Sequence, residues 1–488
     1  MIFKYIKQLG KESLIYGISG VAARFLSIFL IPIYTRIFTP EDYGVMGLIT
    51  ATTGLLQILV VLALDSSAGR WFYDTEDIAD RKRTIASWVW CQLGISMIIG
   101  LGMIIMADWL GTLIIGKSEA GIYFRLSGAI LPLLTLSTAL TNWLRFQRRA
   151  TAAVVFTVST SVLNILLSIL FVVVLHQNLE GVYLAQLITA GVSTLIAALL
   201  MQDWINPFYF RRARLAEMLR YSIPLIPASI AFWVVNLSSR YFIQAFSTTS
   251  EVGLYQLGSN IAMLTALVTN AFQMAWGPFS ISIYKQPEAR NVYANVFLIY
   301  VWITVGLSTA LALFAPEVIS IFATKEYMGA SPVIGILSFS YVLIGLYYIA
   351  NIGPSIVKDM RPLGVAMIAS AILTILLNFL LVPQIGKMGS AIATLISQAI
   401  VPIYVFYRAQ RLYPIPYRFK AAVGIFLSAG LLIACAAMID VTSIWLSVLI
   451  KLGLLSLFIP ISFLLRVITV EQVQTVWKNI YKNRQTAN

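Results

Sequence analysis

The sequence has almost no cysteine or histidine. Cys91 and Cys435 are its only thiols, both lie inside apolar runs, and His176 is its only imidazole. That excludes a disulfide framework, a zinc site of ordinary ligand spacing and a His-based catalytic triad. Charge is scarce as well. Only 11% of the residues are charged and 59% are hydrophobic, where a soluble domain is nearer a quarter charged. A soluble fold this apolar would have no way to build a surface, so the chain reads as an integral membrane protein. The few charges are unbalanced, with 34 Lys and Arg against 20 Asp and Glu. A basic patch on a soluble fold would suggest nucleic acid. Here the cations sit in short gaps between apolar runs, and no nucleic-acid partner is expected. No metal or cofactor is expected either. The most charged stretch, DTEDIADRKR at 74–83, lacks the glycine and twelfth-position glutamate of an EF-hand. It reads as a solvated cytoplasmic loop or a short helix.

A helix that crosses a bilayer needs about 20 mainly apolar residues. Fourteen such runs lie at 14–37, 45–64, 85–106, 122–144, 151–175, 181–203, 219–246, 252–276, 291–314, 331–350, 362–383, 388–408, 418–438 and 442–466. The expected fold is an all-α polytopic membrane protein with no separate soluble domain. No small-residue cleavage site follows the first run, which reads as a retained helix and not a signal peptide.

Cytoplasmic loops carry the excess of Lys and Arg. With the N-terminus in the cytoplasm, 26 of the 34 cations fall in inside segments and 4 in outside loops (Arg36, Lys117, Lys325, Lys387). An odd number of spans would scramble that split. Both termini are therefore expected on the cytoplasmic side. The remaining four cations, Arg24, Arg125, Arg240 and Lys451, fall within spans.

Six spans look used twice. Ala107–Lys117 aligns with Ala315–Lys325, Gly181 with Gly389 and Gly69 with Gly277, all at an offset of 208; Gly44 aligns with Gly253 at 209. Both halves begin inside, so their pseudo-twofold axis runs along the membrane normal. The expected organisation is an N-lobe at 1–210, a C-lobe at 211–413, and two added spans with a cytoplasmic tail at 414–488. Local start signals repeat too. Thr39-Pro40-Glu41-Asp42 offers a cap, a proline and two acids. Thr248-Thr249-Ser250-Glu251 offers a capping box.

Charge near the bilayer centre is expensive and faces a cavity or a partner. Arg24 lies about 20 Å below the outer end of the first run at 1.5 Å per residue, on a face with Gly17, Gly20 and Ser27. Arg240 shares a face with Ser229, Trp233 and Asn236. The next span adds Gln256, Asn260, Asn270 and Gln273. Amides elsewhere include Gln92 and Asn142. Many of these amides serve as hydrogen-bonding glue between helices. Lys451 and Arg125 are further candidates for a groove, or for packing and snorkelling. All the acids are placed outside the depth of the spans, with Asp65 at the inner end of the second. A deep cation without a carboxylate suits an anion from outside the protein, and guanidinium suits phosphate. The candidate binding residues are therefore Arg24, Arg240, Asn236, Gln256, Asn260 and Asn270.

Three segments resemble a known family. They are IPIYTRIFTPEDYGVMGL (31–48), RWFYDTED with DRKR (70–83), and SSRYFIQAF with EVGLYQLG (238–258). They are similar to the oligosaccharide flippases of the O-antigen (Wzx) type, within the multidrug/oligosaccharidyl-lipid/polysaccharide exporter superfamily. The resemblance covers essentially the whole chain. It implies a multi-pass transporter of the bacterial inner membrane with a central cavity between two lobes. The implied substrate is a polyprenyl-pyrophosphate-linked oligosaccharide for surface polysaccharide or lipopolysaccharide, flipped to the outer leaflet by alternating access. Membrane lipids and other polysaccharide-assembly proteins are the implied partners. In such flippases Arg24 falls at a cavity arginine of the first span, and Arg240 at an arginine motif that often reads Asp-Arg and here reads Ser239-Arg240. Two other readings compete. A multidrug antiporter of the same superfamily would favour deep carboxylates. A membrane glycosyltransferase or polymerase would need catalytic groups and larger outside loops than the roughly 15-residue ones here.

Overall fold

The computed structural model describes residues 29–439, 444–465 and 467. Helices joined by short turns make up these residues, with no strand among them. The α-helices of six or more residues in the first half are α1 (Leu30–Ile37), α2 (Pro40–Val61), α3 (Leu64–Asp74), α4 (Ile78–Ile105), α5 (Gly121–Phe146), α6 (Ala150–Ser168), α7 (Asn178–Met201), α8 (Arg212–Ser222), α9 (Ile226–Leu237) and α10 (Ser239–Phe246). They continue as α11 (Thr249–Ile283), α12 (Ala289–Leu313), α13 (Ala315–Phe322), α14 (Ser331–Ala350), α15 (Ile352–Val357), α16 (Arg361–Leu412), α17 (Phe419–Ala437) and α18 (Ile444–Leu464).

Twelve helical segments among the described residues are long and apolar enough to cross a membrane. Fourteen were expected. Two of the expected spans, at 362–383 and 388–408, share the single segment α16. It breaks at Ile385 and at Gly386, whose φ of 54° suits glycine. The expected first span lies mostly outside the described residues, which include only its end, α1. Of the two expected readings of the segment at 74–83, a solvated loop or a short helix, the second is nearer for its later part. Asp77 caps α4 by accepting from the backbone N–H of Ala79 and Asp80, so Ile78–Arg83 form the first turns of a span.

The chain forms two compact units. The first takes in Met1–Leu257, Phe322–Tyr327 and Met367–Ser397. Its α2 starts where the sequence says it should. The Thr39 hydroxyl accepts from the Asp42 N–H at 3.3 Å, and the Asp42 carboxylate accepts from the Thr39 N–H at 3.0 Å. Such a cap contributes about 1 kcal/mol. Thr248 likewise accepts from the Glu251 N–H at 3.2 Å at the start of α11. The two equivalent helix starts touch each other. A Cβ on Gly44 would lie 1.9 Å from the Thr249 carbonyl oxygen, and one on Gly253 would lie 1.8 Å from that of Pro40. Only glycine allows this approach of two backbones. The segment after α13 is stitched on as well: Thr35 donates to the Phe322 carbonyl and Tyr327 to that of Phe38, each at 2.8 Å.

The second unit takes in Gly258–Ile321, Met328–Ala366 and Gln398–Asn488. Lipid is as apolar as leucine, so burial alone does not hold such helices together, and specific polar contacts add to packing. Trp276 on α11 donates to the Tyr348 carbonyl of α14 at 3.2 Å, and the Tyr300 hydroxyl of α12 donates to the Val342 carbonyl at 3.2 Å. Trp302 on α12 donates to the Ser462 hydroxyl at 2.8 Å and so fastens α18.

Candidate substrate-binding site

Three of the residues expected in a binding site come together in the first unit. Arg240 sits near the start of α10 and is only 3% exposed. Its Nε donates to the Gln256 side-chain oxygen at 2.6 Å, and a terminal nitrogen donates to the Asn236 carbonyl at 2.9 Å. The guanidinium also lies 5.8 Å from the centroid of the Tyr255 ring. The Asn236 amide itself donates back to the Phe232 carbonyl. Around this group the helices exchange neutral hydroxyl contacts: Ser239 and Tyr255 each meet the Thr394 hydroxyl at 3.3 Å, and Tyr241 meets Thr52 at 2.7 Å. A buried guanidinium needs such partners, because desolvation without them is costly. Asn260 and Asn270 lie on the part of α11 that belongs to the second unit, and both are half-buried. Arg24 lies outside the described residues.

The other two candidate cations are ion-paired. Arg125 meets Asp108 at 2.6 Å in an exposed pair, which contributes little. Lys451 on α18 meets Glu317 on α13 at 2.5 Å, with the two side chains only 15% and 20% exposed. Ser447 adds a longer contact to the same oxygen at 3.4 Å. Breaking a shielded pair strands one charge and costs about 3 kcal/mol. Glu317→Gln and Lys451→Gln should each lower the thermal unfolding midpoint in detergent, and the swap Glu317→Lys with Lys451→Glu should recover most of the loss. A swap no better than the single variants would show that packing, not charge, matters there.

Asp65 lies just past the end of α2, as the sequence suggests: α2 stops at Val61, and Asp65 is the second residue of α3, which runs on to Asp74. The backbone breaks just ahead of it, where Leu62 and Ala63 take left-handed φ values of 47° and 54°. That conformation costs about 1–2 kcal/mol per residue. The Asp65 carboxylate holds the break. It accepts from Trp88 Nε1 at 3.0 Å, Gln92 Nε2 at 2.8 Å and Asn142 Nδ2 at 3.0 Å. Gln92 also donates to the Val61 carbonyl at 3.1 Å, which the break leaves without a helical partner. The amides at 92 and 142 were legible as polar residues inside spans. That they converge on one acid was not. The carboxylate is half-buried where α3, α4 and α5 meet, past the end of α2 and not within its length.

Among the described residues no group of three His, Cys, Asp or Glu side chains is placed to hold a metal. A family profile described as "Polysaccharide biosynthesis protein" matches residues 9–284. The chain belongs to this polysaccharide biosynthesis family. The match includes all three motif segments, the Asp65 network and Arg240. Among curated relatives, the family chain is 22% identical over 326 residues to the succinoglycan biosynthesis transport protein ExoT of Rhizobium meliloti (strain 1021). That alignment covers 64% of this chain and 62% of the relative. Solved structures share the fold. A lipid II flippase, MurJ, in an inward closed conformation superposes with a TM-score of 0.70 at 14% identity, over 91% of this chain and 98% of its own. An inward-facing multidrug resistance MATE transporter of the MOP superfamily gives 0.68 at 18% identity, over 82% and 95%. The chain is thus a multi-pass helical membrane protein with the fold of that exporter superfamily.

Proposed function

We propose that this protein flips a polyprenyl-pyrophosphate-linked oligosaccharide from the cytoplasmic to the outer leaflet of a bacterial inner membrane. Membership of the polysaccharide biosynthesis family carries the reading, and the fold shared with a lipid II flippase supports it. The proposal is a transporter, with no catalytic residue and no cofactor. Its lobes are residues 1–210 and 211–413, working by alternating access, with both termini in the cytoplasm. The cations proposed to meet the pyrophosphate are Arg24 and Arg240. A guanidinium can give two parallel N–H bonds to phosphate oxygens, which an ammonium cannot. Asn236, Gln256, Asn260 and Asn270 offer amides for sugar hydroxyls. The two spans after residue 413 are proposed to border a groove for the lipid tail, with surface polysaccharide or O-antigen assembly proteins receiving the product.

A flipping assay tests this directly. Purified protein reconstituted in vesicles with a fluorescent polyprenyl-pyrophosphate oligosaccharide should make the inner-leaflet probe accessible to a membrane-impermeant quencher. Arg24→Gln should lower the rate at least tenfold, the order of one lost charged contact of about 1.5–3 kcal/mol. Unchanged accessibility of the probe with and without protein would remove the flippase reading.

A second reading has one observation behind it. The half-buried Asp65 carboxylate, where α3, α4 and α5 meet, is the kind of group a multidrug antiporter would use, and the MATE fold similarity is consistent with it. Proton-driven efflux of an organic cation by the same vesicles would favour that reading; flipping without efflux would favour the first.

A further inference from the structure

Two apolar grooves lie side by side on the second unit. One, of about 670 Å³, is bounded by α14, the end of α16 and the start of α17, with Leu346, Ile403, Val423 and Leu427 in its wall. The other, of about 740 Å³, lies between the start of α17 and the end of α18. Phe419 lines both. The rings of Phe297, Phe406 and Tyr417 stand around it at centroid distances of 5.6, 5.3 and 5.5 Å, and its outer side is exposed. The connection before it is fixed, because the Gln410 side chain both accepts from the Ile415 N–H at 2.8 Å and donates to its carbonyl at 2.6 Å.

Each groove carries cations. Arg411 lines the first, over the Tyr407 ring at 4.4 Å; Arg418 and Lys420 line the second. Arg418 donates to the Leu465 carbonyl at 3.4 Å and so ties the groove walls together. Arg411 and Lys420 are exposed. No carboxylate is among the described residues lining either groove. All three cations belong to the segments expected on the cytoplasmic side, where the leaflet is anionic.

We infer that these grooves hold one diacyl phospholipid with an anionic headgroup, an acyl chain on each side of Phe419 and the phosphate with Arg411 and Lys420. Volumes of this size suit ligands buried along apolar walls. Two grooves divided by one ring suit two chains. The same two spans are proposed above to border a tail groove, so a polyprenyl chain laid across both grooves is the competing occupant, and undecaprenyl phosphate is the probe that tests it.

Native mass spectrometry of the detergent-purified full chain tests this, with dioleoylphosphatidylglycerol, dioleoylphosphatidylcholine and undecaprenyl phosphate as probes. A cation near an anionic headgroup is worth roughly a fivefold change in affinity. One phosphatidylglycerol should bind at least tenfold more tightly than phosphatidylcholine. Arg411→Gln with Lys420→Gln should bring the two lipids level, and Lys420→Gln alone, at an exposed position, should remove about fivefold of the preference. Val423→Trp, which fills the first groove, should weaken both lipids alike. Arg70→Gln, an exposed cation on the first unit, should change nothing. Equal binding of the two phospholipids by the unaltered protein overturns the inference. So does a preference that survives loss of Arg411 and Lys420, or undecaprenyl phosphate occupying the site without competition from phosphatidylglycerol.

Discussion

Gly253→Leu should leave little or no folded protein in the membrane. The new Cβ would sit 1.8 Å from the Pro40 carbonyl oxygen and 2.9 Å from the Gly44 nitrogen. Both neighbours are backbone, so no side-chain rotation relieves the clash. Extra methylenes in an ordinary core cost about 1–3 kcal/mol because neighbours shift. Here the neighbour is the capped first turn of α2, and moving it would also break the Thr39–Asp42 capping box. Gly44→Leu should fail in the same way against the Thr249 carbonyl. Gly364→Leu, at a position with open space around its Cβ, is the control and should be tolerated. The measurement is the yield of monodisperse protein by fluorescence-detected size exclusion. Normal yield from both altered crossings would mean that the two helix starts do not meet as described.

Asp65→Ala should cost about 5 kcal/mol, and Asp65→Asn markedly less. Alanine leaves three donors, on Trp88, Gln92 and Asn142, without their acceptor. Each stranded group costs about 1–3 kcal/mol. Asparagine keeps one oxygen, and that oxygen can still serve Trp88 and Gln92, whose bonds share Oδ1. Only the Asn142 contact, to Oδ2, is lost. The thermal unfolding midpoint should therefore rank wild type, then Asn, then Ala. Ala63→Gly should return about 1 kcal/mol to either variant, since glycine takes a positive φ without a Cβ clash. Equal midpoints for the Asn and Ala variants would dismiss the network as the support of the break. The same pair separates structure from transport. If Asp65 only holds the break, activity should follow folded protein. If it exchanges a proton during transport, Asp65→Asn should lose activity while staying folded.

These two sites also show where sequence reasoning stops. The offset linking Gly44 to Gly253 was readable, because a repeat leaves the same small residue at the same place in each copy. Their contact was not, because nothing local tells residue 44 that residue 253 will lie against it. The apolar run stops at Leu64, and α2 does end there, at Val61. Hydropathy does not show that a second helix begins at once at Leu64 and runs to Asp74, because a helix is started and ended by caps and backbone geometry as well, and Thr75 and Asp77 mark the next turn. Lys451 was readable as a cation inside a span. Its partner Glu317 comes from a helix 134 positions away.

The sequence by itself determined the class of the molecule, an all-helical multi-pass membrane protein, and the basic bias of its loops. Those follow from composition and from period, since backbone polar groups in lipid must pair within each helix. It also determined the helix starts at Thr39 and Thr248, because a cap is made by neighbours in the chain. Only the tertiary structure decided which polar residues meet. Arg240 with Gln256, Asp65 with Trp88, Gln92 and Asn142, and Lys451 with Glu317 are chosen by how helices pack, and in lipid that choice rests on close backbone approach and a few shielded polar contacts.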